Sequence, residues 1–536
     1  MHQYGSVRPR PPKPETGRRE DGTKFIEQPL FPPPRLTVES LSVRLDELHC
    51  VLTTMAPIAL RAEPPHGGGR ANEIRMIDVS RVALAAERSV EASFKRLERY
   101  LAFAPISSEP AAKPKLAELA AVLRDDLTTL GLSRARVLEL PDAHPCVAAE
   151  WMGAGPSAPT VLVYGHFDVQ PVKGEVWDTE PHALVRKGDR LYGRGSADDM
   201  GGWLSHFVAM EAWLSETGKL PCNVKILLEG EEEIGSPNLE AFMDKYPDAF
   251  ESDAMVLTDC ENPSVDIPGL TVSLRGLLEV EVAVASAKSD VHSGLWGNVV
   301  PDPATTLIAL LARLVDEDGR LRLARRPIDP AWLASSRDVP LTPEVIRVGA
   351  RLLDDVAPLP ERGLSPAAWA WREPALTVLS TTFPAPGTEK NAIRKSVSAK
   401  LSLRIAPGQT AAELFEAVRA ELTRDVPGGL AVTVTELAGS ASSWDYDAKG
   451  PAFDAADRAY EAAWGRAPIR IGIGGSIPFV ALFGKRFARL PLVLNGVIDP
   501  ETGAHGPNES MHIGVYTKTV KANVHLYDEL ARALAK

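Results

Sequence analysis

The chain reads as an α/β domain with a largely parallel central sheet, interrupted by a smaller α+β domain. Three observations predict this. Short β-type runs alternate with helical patterns between residues 79 and 257, as they do in layered α/β domains. From Leu270 the texture changes to alternation at period two, the mark of half-buried antiparallel strands. After Asp447 a helix-then-strand texture returns, so the simplest organisation is one domain split by an insertion. The expected boundaries are an N-terminal extension over 1–75, a first part of the α/β domain over 76–269, the insertion over 270–445 and a second part over 446–536.

In chain order, residues 1–75 are dense in Pro, Arg and Gly, as in RPRPPKPETGRRE, LFPPPRL and PPHGGG. Such composition buries little apolar surface and is expected to stay disordered, apart from one short helix over Leu41 to Met55. Met76 stands just before a helical pattern, which leaves open whether the folded protein begins there. From Val79 to Phe103, Val82, Leu84, Ala85, Phe94, Leu97 and Leu101 recur at helical spacing. Leu116 to Leu130 predicts a second helix, stopped by Gly131. Strands are expected over 135–140, 160–164, 224–228 and 254–257, with helices over 200–217 and 239–246 between them. In the insertion, LTVSLRGLLEVEVAVASA predicts antiparallel strands. Helices are expected over 303–314 and 411–422, and strands over 377–380, 399–405 and 430–437. The last part predicts a helix over 451–464, a strand over 492–494 and a closing helix over 515–535.

Composition excludes several functions. Lys plus Arg count 59 against 71 Asp plus Glu, a net charge of -12. Polyanion binding needs a basic footprint, so no nucleic-acid partner is expected. No apolar run reaches the ~20 residues of a membrane-spanning helix, and Met1 to Arg10 lacks the apolar core of a secretory signal. The four cysteines, Cys50, Cys146, Cys222 and Cys260, form no CxxC pair. A disulfide scaffold or thiolate zinc site is therefore not expected, and a cytoplasmic setting is.

The chemistry-bearing residues follow β-type runs. VLVYG leads into His166 and Asp168, VKILLEG into Glu231, Glu232 and Glu233, and AMVLT into Asp259. In open α/β sheets, ligands bind beyond the carboxyl ends of the strands. LYGRGSADDMGG adds Asp198 and Asp199, and LVLNGVIDPETGAHGPNE adds His505. Taken singly, a histidine, an acidic run or a double Asp before a helix is ordinary structure. Jointly they are not, because crowded carboxylates after a buried-type strand repel unless a cation neutralises them. Carboxylates with two histidines and no cysteine form a ligand set for Zn, Mn or Co.

HFDVQP, GRGSADDMGG, EGEEEIGS, the Asp259 strand end and GAHGPNE occur in the order seen in the M20 family of dinuclear metallopeptidases. The chain resembles that family over about residues 78–536. The resemblance implies a zinc-peptidase-like catalytic domain interrupted by a lid that mediates dimerisation, and two divalent metal ions, Zn or else Mn or Co. Motif by motif, it implies that His166 and Asp259 hold one metal, that Glu233 and His505 hold the other, and that Asp198 bridges them. Asp168 would orient the His166 imidazole, and Glu232 would be the general base, with Glu231 at a variable position. A base that is not itself a ligand keeps its basicity, which is why two adjacent glutamates are useful.

The insertion contributes SDVHSGLWGN, which resembles the lid motif whose histidine, here His292, stabilises the oxyanion from the partner subunit. KLSLRIAP resembles a segment whose arginine, here Arg404, contacts a substrate carboxylate. IGGSIPFV, with Gly475 and Ser476, resembles a loop at the same end. Met200 departs from a common Lys and Asn298 from a common Gly, and neither is a proposed ligand. His182, His206 and His512 are expected to be structural.

These features imply hydrolysis of dipeptides or short peptides with a free C-terminal carboxylate, by a homodimer with no membrane partner. The length of the insertion resembles the carnosinase-like dipeptidase branch. The alternatives are an N-acyl-amino-acid deacylase of the acetylornithine or succinyl-diaminopimelate type, a non-catalytic scaffold that kept the fold, and a dinuclear phosphoesterase, disfavoured because no phosphate-cradling loop stands near the site.

Overall fold

The computed structural model of the protein describes residues 78–384, 387–475, 478–487 and 490–536. The expectations for residues 1–75 and for Ser476 lie outside the described residues. The largest sheet has nine strands. Its centre runs Asn223–Glu229, Thr160–His166, Ala254–Leu257, Leu492–Leu494, and these four neighbours are parallel. One flank is antiparallel: Ser133–Leu138 pairs with Cys146–Trp151, which pairs with Asn223–Glu229; on the other, Gly269–Leu274 pairs antiparallel with Leu492–Leu494 and parallel with Ile469–Ile473. The sheet is therefore mixed, with the expected parallel order confined mainly to its middle. Cys146–Trp151 escaped the sequence reading because CVAAEW has only one β-branched residue.

The central strands are buried on both faces, so their sequences run apolar without alternation. In Thr160–His166, Val161 and Val163 face the cluster that holds Leu97, Phe207, Tyr516 and Tyr460. These come from the helices Val79–Leu101, Met200–Thr217, Ile513–Ala533 and Pro451–Trp464. Leu162 and Tyr164 face the opposite cluster, with Phe242, Phe250, Phe479 and Phe483. Among the described residues no helix is long and apolar enough to cross a membrane.

The run from Leu270 divides between two sheets. Gly269–Leu274 is buried at every position and belongs to the nine-stranded sheet. It is not the half-buried strand that the period-two reading expects. Only Gly276–Ala285 alternates, and it lies in a separate four-stranded antiparallel sheet, ordered Ala375–Thr381, Ser396–Ile405, Gly276–Ala285, Ala431–Glu436. Leu278, Val280, Val282 and Val284 pack there on Leu307, Leu310, Leu414 and Val418, which come from the helices Pro303–Ala312 and Ala411–Thr423. The second helix starts with a capping box: Thr410 takes the N–H of Glu413, and the Glu413 carboxylate takes that of Thr410. Arg275 is the single residue between the two strands, at the crossing from one sheet to the other.

Candidate metal centre

Because the central strands are parallel, their carboxyl ends lie along one edge, and the side chains that follow converge there. His166 ends the strand Thr160–His166. Glu232 and Glu233 sit in the short 3-10 turn Glu232–Ile234 after Asn223–Glu229. Asp259 follows Ala254–Leu257, and Asp198 precedes the helix Met200–Thr217. His505 arrives on the loop after Leu492–Leu494.

Asp198 stands between the two imidazoles. Its Oδ1 lies 3.2 Å from His166 Nε2 and its Oδ2 lies 3.1 Å from His505 Nε2. His505 Nε2 is also 3.2 Å from Glu233 Oε2. His166 Nε2 is 3.9 Å from Asp259 Oδ2. One ligand atom each from His166, Asp198 and Glu233 falls within a mutual 4.8 Å, and so does one each from His166, Glu232 and Asp259. The structure thus brings together six of the residues singled out in the sequence, and Glu232 lies among the candidate ligands.

The electrostatics of this cluster call for cations. Burial pushes the Asp259 carboxyl up to about 8, with the Asp198 charge adding to it. Burial likewise raises Glu232 well above the carboxylate range, helped by Asp259 and Glu233. Hydrogen bonds from its ring to the Asp198 and Glu233 carboxylates hold His505 at about 11. Clustered acid oxygens and two imidazole nitrogens are the donor chemistry of a borderline divalent cation, so these residues fit the two metals that the sequence implies.

Supporting contacts fix these groups. Asp168 is fully buried. Its carbonyl oxygen lies 3.1 Å from His166 Nδ1, and its carboxylate Oδ1 lies 3.5 Å away. That carboxylate accepts the backbone N–H groups of Glu232 and Glu233 at 3.2 and 3.0 Å. It therefore ties the glutamate turn to the histidine strand. Glu231 points elsewhere, accepting from the His144 N–H at 2.7 Å and from Asn238 Nδ2.

Three supporting residues were given no role in the sequence. Asp199, noted there beside Asp198, accepts the His166 N–H at 3.1 Å and the Thr258 hydroxyl at 2.7 Å. Gln170 Nε2 donates to Glu233 Oε2 at 2.7 Å. Glu509 is fully buried and accepts the N–H groups of Gly195, Ala197 and Asp198 while pairing with Arg194 at 2.9 Å. Its signal was present, since the GAHGPNE motif ends on it, but only the histidine of that motif carries obvious chemistry.

Other expected residues make no hydrogen bond or ion pair with the cluster among the described residues. His292 is exposed, on the two-residue strand Val291–His292, and its Nδ1 accepts the Gly294 N–H at 3.0 Å. Arg404 lies on Ser396–Ile405, opposite Leu277 and Ala375. Gly475 follows the strand Ile469–Ile473. Of the remaining histidines, buried His206 meets the Tyr527 hydroxyl at 2.9 Å, and His512 caps the helix Ile513–Ala533 by accepting the Val515 N–H.

Known proteins resemble this chain in sequence and fold. The family model described as Peptidase family M20/M25/M40 matches residues 162–529. The cysteinylglycine-S-conjugate dipeptidase of Corynebacterium striatum is 32% identical over 72% of this chain and 84% of its own. The β-Ala-His dipeptidase of Homo sapiens is 30% identical over 79% of this chain and 86% of its own. The crystal structure of human carnosine dipeptidase 1 superposes with a TM-score of 0.69 at 27% identity, covering 85% of this chain and 99% of that one. Dug1p from Saccharomyces cerevisiae, described as a di-peptidase, gives the same TM-score at 25% identity.

Proposed function

Because the chain belongs to peptidase family M20/M25/M40, we infer that it is a metal-dependent dipeptidase that cleaves the amide bond of dipeptides bearing a free C-terminal carboxylate. The observation that carries this is Asp198 set between the His166 and His505 imidazoles, with Glu232 beside them. The dipeptidase relatives favour this over the acyl-amino-acid alternative.

In the proposed site, His166 and Asp259 would hold one divalent cation, Glu233 and His505 the other, with Asp198 shared between them. Zn is the leading candidate, with Mn or Co as alternatives. Such a pair lowers the pKa of water and polarises a carbonyl. Glu232 removes a proton from the attacking water and delivers it to the departing amine nitrogen. In the metal-free chain, burial raises its affinity for protons, the direction that suits a group taking one up. Asp168 keeps Glu232 in place through the backbone of the glutamate turn. Arg404, Gly475 and Ser476 receive the substrate carboxylate, the planar guanidinium matching two carboxylate oxygens.

His292 makes no hydrogen bond or ion pair with the cluster among the described residues. Its exposure on the inserted segment leaves it free to act on the developing oxyanion of a partner subunit in the homodimer we propose. Cys146, Cys222 and Cys260 are free and buried, which is compatible with the reducing cytoplasm proposed as its setting.

The test is turnover of a dipeptide panel, with N-acetyl and N-succinyl amino acids alongside, after reconstitution with Zn, Mn or Co. Dipeptides should be cleaved and the acylated amino acids left intact. The opposite preference would make the protein a deacylase, and metal binding without hydrolysis of any amide would favour a scaffold.

A further inference from the structure

Arg275 occupies the crossing between the buried strand Gly269–Leu274 and the alternating strand Gly276–Ala285. Its guanidinium points to two other segments of the chain. Nε donates to the Gly474 carbonyl at 2.9 Å, and Nη1 donates to the Glu373 carbonyl at 3.2 Å. Gly474 begins the turn that carries Gly475. Glu373 lies between the helix Pro366–Arg372 and the strand Ala375–Thr381, which pairs with the strand of Arg404. The fit is close, because a Cβ on Gly474 would lie 2.9 Å from Arg275 Nη2 and 3.1 Å from the Ala370 carbonyl.

No acidic side chain forms an ion pair with Arg275 or Arg404 among the described residues. Burial, together with the Arg404 charge, lowers the Arg275 guanidinium to about 10. Two cations held near one another without a counter-charge favour an anion between or beside them.

We propose that Arg275 is a positioning residue for recognition of the substrate carboxylate, tying the Gly474–Gly475 turn to the segment that leads into the strand paired with that of Arg404. This rests on the proposed role of Arg404 and Gly475 as the carboxylate end of the site. Arg275 acts through those groups, so it governs which substrates bind and not the chemistry at the metals. Arginine is required because its planar fork reaches two carbonyls at once, whereas a lysine offers a single point charge.

The test compares one dipeptide, the best substrate of the wild-type enzyme, with the C-terminal amide of the same dipeptide. Both are assayed with the metal-loaded full-length chain. The wild type should prefer the acid. In Arg275→Met, kcat/KM for the acid should fall about tenfold or more through KM, the loss expected when a charged hydrogen-bonding group is removed, while the amide changes less than about twofold by the same argument. Arg275→Lys should recover part of the preference. Equal losses on acid and amide would overturn the proposal, because a general structural defect lowers both. A wild type that cleaves acid and amide equally would instead overturn the carboxylate reading beneath it. Should Arg275→Met fail to fold, Arg275→Lys assayed on the same substrate pair decides the question.

Discussion

The buried carboxylate of Glu509 accepts the backbone N–H of Asp198 at 3.3 Å. The loop that delivers His505 therefore also holds the loop that delivers the residue between the two imidazoles. Arg194, 1% exposed, pairs with the same carboxylate. At pH 8, Glu509→Gln should cost about 1.5–3 kcal/mol of stability, since three backbone N–H groups and Arg194 lose a charged acceptor, while Arg194 keeps Glu175 at 3.2 Å. Metal affinity should fall about 10–100-fold, the usual loss when a group that positions a ligand is removed. Thermal unfolding and a metal titration measure the two, and wild-type values in both would deny Glu509 this role.

Glu232→Gln should keep two metals per chain and lose activity by more than the ~10²–10⁴ typical of removing a general base. Activity within a few-fold of wild type would show that another group moves the proton.

Asp198→Asn should lose both metals together, because one carboxylate serves both sites and an amide carries no charge. Elemental analysis is the readout. Full occupancy in the variant would remove Asp198 from its bridging position.

Metal removal should make stability fall as pH rises. In the metal-free chain, burial raises Asp259 and Glu229 to about 8 and Glu509 to about 7, against an ordinary carboxylate value of about 4. Between these values the folded chain binds more protons than the unfolded chain. Stability is thus greatest at acid pH and is lost as pH rises through about 7–8. His505, raised to about 11, acts in the same direction. Asp198, held below the carboxylate range by its histidine partners despite its burial, opposes this only at lower pH. With a chelator present, the melting temperature should fall between pH 5 and 8, and divalent metal should abolish that fall. A metal-free melting temperature that climbs over this range contradicts the account.

His292 should act in trans. Glu232→Gln and His292→Ala are each expected to be inactive alone. Mixed under subunit exchange, about half the dimers are heterodimers with one intact site, so about a quarter of wild-type activity returns. No recovery, with exchange confirmed by mass spectrometry, would place His292 in its own subunit's site.

The sequence by itself determined the elements whose burial is strong and local. The helices Met200–Thr217 and Pro451–Trp464 and the strands Ala254–Leu257 and Leu492–Leu494 match the sequence expectation at both ends. The ligand-type residues were legible because each follows an apolar run that a buried strand requires. Tertiary structure alone decided three things. Gly269–Leu274 joins the large sheet because both its faces meet apolar neighbours, and period-two counting cannot distinguish that from a half-buried strand. Cys146–Trp151 becomes a strand because Ser133–Leu138 and Asn223–Glu229 pair with it on either side, despite weak propensity. Asp199, Glu509 and Arg275 act through partners 33, 311 and 199 residues away, and a hydrogen bond that closes only when distant segments meet leaves no spacing in the sequence to read.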